Sequence, residues 1–166
     1  MALNKDYNPF AKEDINIPKA YVEDLRRYST TLDVDNPEKG SPDEMPFNRY
    51  IDFWCLAVAL GVAAGKSGFS PISSGQKHRF ITGSILQNDI QRIEYLMLVA
   101  ISHSGDAYIV SRPKDMMAIA EAYAAGGIGI LLELLKEGHQ PALLNLTRGL
   151  ISRLEDDLQV TSMNPK

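Results

Sequence analysis

The sequence predicts an all-α fold, a single compact domain of five or six helices around one buried central helix, with room for one short strand or hairpin. Apolar residues recur at helical spacing over most of the chain, and prolines and glycines fall where these segments end. The stretch from 45 to 67, MPFNRYIDFWCLAVALGVAAGKS, is the most apolar and holds the only Trp and the only Cys. An element that is apolar nearly all round is buried by neighbours on several sides. We therefore predict the central helix from Phe47 or Asn48 to Gly65, with Trp54 in the core.

Composition and charge limit the classes of function. The chain has 166 residues, of which 45% are hydrophobic and 23% charged, and this is typical of one globular domain. The net charge of -4 gives no overall attraction to nucleic acid, so DNA contact would need a local basic patch. A lone cysteine, Cys55, in an apolar run fits a small buried side chain and a reducing compartment. We expect a soluble cytoplasmic protein, because neither a secretory signal nor a stretch apolar enough to span a bilayer is evident.

Three parts are predicted along the chain. Residues 1–16 are polar without a regular period, which indicates a flexible or partner-docked arm. A helical domain follows over 17–160, and 161–166 is expected to fray as a tail. Within the domain, Pro18 stands at a first helical position and opens a predicted helix over 18–31.

An acidic loop and two glycines frame the central helix. The segment 31–45 is rich in proline and acidic residues, as exposed loops are. Gly61 and Gly65 lie four residues apart on one helix face, where they would let another backbone approach closely. Gly65 is also the expected helix end. The following Lys66 does not complete a phosphate-binding loop, because Gly61 lies one residue too near and a helix precedes it where a strand is required.

The middle of the chain holds the densest basic cluster. After a turn, QKHRFITG is predicted as a short extended piece that presents Lys77, His78 and Arg79. Asn88 and Asp89 are typical of a helix N-terminus, and the following apolar stripe continues to about His103.

Gly105 and Asp106 close that helix, and Pro113 opens the next one. The segment between them, DAYIVSR, is expected as a loop or one short strand.

Three glycines interrupt the helix that Pro113 opens. Gly126, Gly127 and Gly129 would each cost about 1 kcal/mol in a helix interior, so we predict a break, a kink or a very close helix contact, and two helical pieces or a kinked one. Gly138 ends this element, and Pro141 starts a leucine-rich final helix that runs to about Leu158. The apolar segment 124–135 and this final helix are expected either in the core or as a protein contact face.

No catalytic constellation, cofactor site or metal site is predicted. The GxSxG, HExxH and CxxC motifs are absent, and the three histidines are far apart. Glu94, Glu121 and Glu133 are expected on solvated helix faces, since glutamate is seldom fully buried. The sequence favours no enzyme, although a helical pocket around Glu94 or Glu121 is kept as an alternative.

A candidate nucleic-acid face combines residues from two segments. It would consist of Lys77, His78 and Arg79 together with Arg112 and Lys114, if the fold brings them together. The competing interpretation is that these are ordinary solubilising charges.

Several spaced motifs carry a resemblance to a known family. The segment EAYAAGG is similar to the family's E-x-Y-A-x-G-G ending, and it follows a Gly-Asp pair at a fitting distance. Residues 47 to about 135 thus resemble the small proteins encoded beside DNA phosphorothioation (dnd) loci and described as system-associated protein four. The positions that match are Phe47, Asp52, Ala59, Gly61, Gly65, Tyr95, Leu96, Ala100, Gly105, Asp106, Glu121, Tyr123, Ala124, Gly126 and Gly127.

The resemblance implies a place among anti-phage DNA modification and restriction genes, and it carries over no catalytic residue. The leading expectation is a non-enzymatic accessory component that binds larger proteins of the same defence system or a copy of itself. The alternatives are a DNA-binding module built on the local basic residues and an enzyme with an unrecognised helical pocket.

Overall fold

The computed structural model describes residues 7–30, 41–65 and 74–163. Within these residues it contains five α-helices and one two-stranded antiparallel sheet, which confirms a mostly helical fold with a short strand at the QKHRFITG segment. The helices are α1 (Val22–Tyr28), α2 (Tyr50–Ala63), α3 (Ile90–Ser104), α4 (Pro113–Lys136) and α5 (Ala142–Met163), and the strands are β1 (Asp14–Pro18) and β2 (Lys77–Thr82). Single 3-10 turns cover Lys19–Tyr21, Ser74–Gln76, Gly83–Leu86 and Ala107–Ser111.

Helix α2 is central, as predicted. Its Phe53 and Trp54 are fully buried, and it packs along α4, whose Ile128 and Leu131 are equally inaccessible. The helix begins at Tyr50, later than expected, because the backbone of Phe47 is engaged elsewhere: it accepts from Thr30 N at 2.8 Å and donates to the Tyr28 carbonyl at 3.2 Å.

The end of the central helix is also confirmed. Helix α2 stops at Ala63, and Gly65 follows with a φ of 60°, in the left-handed region that favours glycine.

Two glycines let α2 and α4 touch backbone to backbone. A Cβ atom on Gly61 would lie 2.1 Å from the carbonyl oxygen of Tyr123, and one on Gly127 would lie 1.8 Å from that of Ala57. Neither position can therefore carry a side chain without moving the helices apart. The predicted close approach is right for Gly61 and wrong for Gly65, where a Cβ would meet nothing within 4 Å.

Helix α4 runs unbroken for 24 residues through its three glycines. The prediction of two pieces or a kink is wrong, and the alternative of a very close helix contact holds at Gly127. The intrinsic cost of glycine is offset here because burial against α2 fixes the helical backbone.

The predicted flexible arm is wrong from Phe10 onward. Phe10, Ile15 and Ile17 are fully buried, and β1 pairs with β2 so that Ile15 lies opposite Ile81. The alternation of the two isoleucines is a strand pattern, too short to stand out in a polar segment. Residues 1–6 lie outside the described ranges.

Three further boundaries differ from the prediction. The helix expected over 18–31 is confined to α1, because Pro18 still belongs to β1. The segment DAYIVSR forms a 3-10 turn in place of a loop or strand, and α5 continues to Met163 where a tail was expected. Of the acidic loop 31–45, residues 31–40 lie outside the described ranges.

Among the described residues, α4 is long and apolar enough by length and composition to cross a membrane. The expectation that no stretch would qualify is therefore wrong on that measure. However, 61% of its apolar window is buried inside the domain, and the core helix of a globular protein passes the same test.

We predict opposite effects for two alanine substitutions in α4. Gly127→Ala should lower the free energy of unfolding by about 3 kcal/mol or more, because the new methyl group would overlap a carbonyl of α2. Gly129→Ala is the matched control: a Cβ there meets nothing within 4 Å, so loss of glycine should stabilise by about 0.5–1 kcal/mol. Urea unfolding followed by circular dichroism measures both, and equal effects would contradict the close contact.

Candidate functional site

The predicted basic residues lie next to acidic partners. On β2, the Lys77 Nζ atom is 2.7 Å from Oε2 of Glu121, and Arg79 Nη1 is 3.3 Å from Oδ1 of Asp14. Arg112 lies 3.5 Å from a carboxylate oxygen of Asp106 and is also paired with Asp115. Much of the positive charge of this predicted face is thus neutralised within the protein.

Glu121 is the most buried ionisable side chain of the site. Only 4% of the residue is exposed, so the expectation of a solvated helix face is wrong for it. Its Oε1 atom accepts from the Asn16 backbone N–H at 2.9 Å and from Asn16 Nδ2 at 2.7 Å, while Oε2 faces Lys77. Buried carboxylates require such partners, and charge-assisted hydrogen bonds are the strong ones. One side chain of α4 therefore holds both strands.

Asn16 lies next to an irregularity in the pairing of the two strands. The register between β1 and β2 shifts between Ile15, which lies opposite Ile81, and Asn16, which lies opposite Arg79, so Phe80 of β2 has no partner in the regular ladder. The Asn16 N–H is donated to Glu121. No sequence signal marks Asn16, because its role depends on a strand that begins inside the predicted arm.

A cavity of about 290 Å³ lies beside this ion pair. The structure brings Lys77 and Lys114 together here, along with Lys12, which the sequence did not single out. Three carboxylates share the same lining, so the cavity has no excess of positive charge. The residues that line it are Lys12, Glu13, Asp14, Asn16, Lys77, Lys114, Met117, Ala118 and Glu121. Of the other predicted residues, Arg79 pairs with Asp14, which lines the cavity. His78 and Arg112 do not line it.

Asp52 joins α2 to α3. Its Oδ1 atom accepts from Arg49 Nη2 and from Arg92 Nη2, both at 2.8 Å. Arg92 also pairs with Asp89, whose side chain accepts from the Arg92 backbone N–H at the start of α3. The predicted cap at Asp89 is confirmed. The ion pairs of Asp52 give this motif residue a structural role.

Three more motif positions lie around the end of α3. Gly105 has a φ of 67° and ends the helix, and Asp106 accepts from the Tyr108 N–H at 2.8 Å to cap the following turn. The Tyr123 hydroxyl is 3.1 Å from Nδ1 of His103, which connects α4 to the same helix end.

The remaining candidate acids and the thiol are placed as ordinary side chains. Glu94 and Glu133 are exposed, as expected for solvated faces. Cys55 is partly buried, and burial raises the pKa of its thiol from 9.0 to about 12, although the nearby Arg92 acts in the opposite direction. Among the described residues, no group of three His, Cys, Asp or Glu side chains could hold a metal ion.

Helix α5 has one packed face and one uncovered face. Ala142 and Leu146 are buried, and a Cβ on Gly149 would lie 2.4 Å from a methyl of Leu134 on α4. We name the uncovered face the α5 stripe. Its members and their exposed fractions are Leu144 (38%), Ile151 (51%), Leu154 (63%) and Leu158 (71%).

The structure therefore defines a mostly helical protein whose charged groups near the motifs are largely paired and whose last helix presents an apolar face. The family model of DNA sulphur modification system-associated protein 4 matches residues 36–162, and the chain belongs to that family. The resemblance seen over residues 47–135 is confirmed, and the match extends through α5. No curated protein and no solved structure matches the chain.

The buried ion pair should dominate the electrostatic contribution to stability. Lys77→Ala would leave Glu121 without its cation and should lower the free energy of unfolding by about 2–3 kcal/mol. Arg79→Ala on the same strand removes an exposed pair and should cost at most about 0.5 kcal/mol. Chemical denaturation distinguishes the two, and similar losses would show that Glu121 is not held as described.

The raised pKa of the Cys55 thiol predicts that stability depends on pH. Because the folded pKa of Cys55 lies above the unfolded one, its contribution is fully present below pH 9 and is lost as the pH rises towards 12. Cys55→Ala should therefore weaken the loss of stability over that range, although Tyr95, whose pKa burial also raises, keeps part of it. Unfolding midpoints of both proteins between pH 8 and pH 11 check this, and parallel curves would contradict it.

Proposed function

We propose that this protein is a non-catalytic accessory component of a DNA sulphur modification system and acts in the cytoplasm through protein contacts. Family membership supports the setting. The observation that carries the mode of action is the α5 stripe, four large apolar side chains on one face of a helix within the family match. Contiguous exposed apolar side chains on a globular protein mark interaction sites.

The positions of the motif residues support a scaffold in preference to a catalytic centre. Glu121 and Asp52 have their oxygens occupied by Asn16, Lys77, Arg49 and Arg92. Cys55 has a raised pKa, which favours an unreactive thiol at neutral pH. These groups hold elements together, and their contacts need no substrate to explain them.

A DNA contact through Lys77, His78, Arg79, Arg112 and Lys114 stays a prediction. Its support is reduced by the ion pairs of Lys77, Arg79 and Arg112 and by the carboxylates that line the cavity of Lys114. In a system that modifies DNA, a protein-binding component can reach the DNA through its partners.

The test uses two leucines of nearly equal exposure, Leu154 (63%) and Leu98 (64%). Leu154→Glu, on the α5 stripe, should reduce the amount of other system proteins that copurify with the tagged chain by at least about tenfold, as expected for a residue at the centre of an interface. Leu98→Glu is the control, since Leu98 is 64% exposed on α3 and lies outside the stripe. Both changes should leave the free energy of unfolding within about 0.5 kcal/mol.

Three outcomes would contradict the proposal. One is undiminished copurification with Leu154→Glu, and another is capture of no other system protein by the unaltered chain. The third concerns Glu121→Gln: if this variant folds and captures partners normally yet abolishes DNA sulphur modification or phage restriction in cells, the site around Glu121 is catalytic.

A further inference from the structure

Most of the α5 stripe lies on the side of the helix away from α4, and Leu154 lies at its edge, where it lines a groove with Leu60 and Ala63 of α2. At about 100° per residue, Leu144, Ile151 and Leu158 project roughly half a turn away from the buried Ala142 and Leu146. The described side chains from 151 to 156, and Leu158, are all exposed. A second helix can therefore lie along this face without displacing any of the described elements.

The spacing of the stripe matches a helix-pairing seam. Leu144, Ile151 and Leu158 are seven residues apart, and Leu154 lies three residues after Ile151, as at the a and d positions of a heptad. The seam is about 21 Å long at 1.5 Å per residue. Thr147 occupies the remaining d position and is exposed.

Two opposite charges flank the seam on the same edge. Arg148 and Glu155 are both exposed and stand at successive e positions, seven residues and about 10.5 Å apart. Among the described residues neither has an ion-pair partner within 4.0 Å. They are also too far apart along the helix to pair with each other, because side chains on a helix meet at three or four residues.

This charge order selects the occupant and its direction. If a second α5 runs antiparallel with its Leu154 beside Ile151, the e edges of the two helices meet. Arg148 of each copy then lies beside Glu155 of the other, and the two-fold axis makes two such pairs. In a parallel pair, Arg148 would lie beside Leu143 and Glu155 beside Leu150, with no compensating charge.

We propose that the α5 stripe binds a second copy of this chain, with the two α5 helices antiparallel and Ile151 of each beside Leu154 of the other. The inference rests on the proposed function in that both use the α5 stripe as a docking surface. The homodimer is then the unit that presents its remaining surfaces to the other proteins of the system, and Leu154→Glu lowers their capture because it dissociates the dimer. Arg148 and Glu155 determine the orientation, and the four apolar residues supply the buried surface.

The test is sedimentation equilibrium of the purified full chain alone, up to about 100 µM, a range that covers the micromolar dissociation constants of small interfaces. Arg148→Glu or Glu155→Arg alone would place like charges together twice and should raise the dissociation constant at least about tenfold. The double variant Arg148→Glu with Glu155→Arg should return it to within about threefold of the original value. Arg153→Glu, on the α4 side of the same helix, is the control and should change it little.

Several results would overturn the inference. One is a monomer at every concentration, and another is a dimer that Leu154→Glu leaves intact. Single charge reversals without effect, or a double variant as weak as the single ones, would equally refute the antiparallel arrangement. A chain that is monomeric alone yet captures other system proteins through Leu154 refutes only the homodimer. A dimer that captures no other protein refutes only the proposed function.

Discussion

The backbone contact between α2 and α4 at Gly61 and Gly127 is the constraint on which the rest of the structure depends. The two helices form the largest packed interface of the described fold, and a methyl group at either glycine would overlap a carbonyl of the other helix. Close approach fixes the rotation of α4 about its axis. That rotation determines what the other side chains of α4 can reach.

The segment EAYAAGG can then be understood as a set of tertiary contacts. Glu121 turns towards β1 and β2 and holds Asn16 and Lys77, and the Tyr123 hydroxyl reaches His103 on α3. Gly127, at the end of the segment, meets α2. This family motif is thus a short piece of helix that contacts the sheet, α2 and α3 together. Its residues explain the fold, and the functional question moves to surfaces that the fold leaves open.

The sequence predicts those features whose causes are local. The apolar central helix, its end at Gly65 and the cap at Asp89 all follow from residues within a few positions of one another. The candidate site was less predictable because its contacts are distant in the chain. Glu121 lies 105 residues from Asn16 and 44 from Lys77 in the chain, so its neighbours in sequence do not predict that it is buried.

The same distinction explains the arm and the last helix. Ile15 and Ile17 are buried only because β2 lies beside them. Two alternating apolar residues within a polar segment are too weak a pattern to predict a strand. Helix α5 carries leucines on two of its faces, and the composition alone does not determine which face packs against α4. The structure answers that question and leaves the α5 stripe open.

The α5 stripe is the surface through which we propose that this protein works. The most direct measurement is site-specific photocrosslinking in cells that carry the whole system, with a photoreactive amino acid at position 151 and, for comparison, at position 98. Covalent adducts with a second copy or with another protein of the system are expected at position 151 and none at position 98. Absence of adducts at position 151, or equal adducts at both, would contradict it.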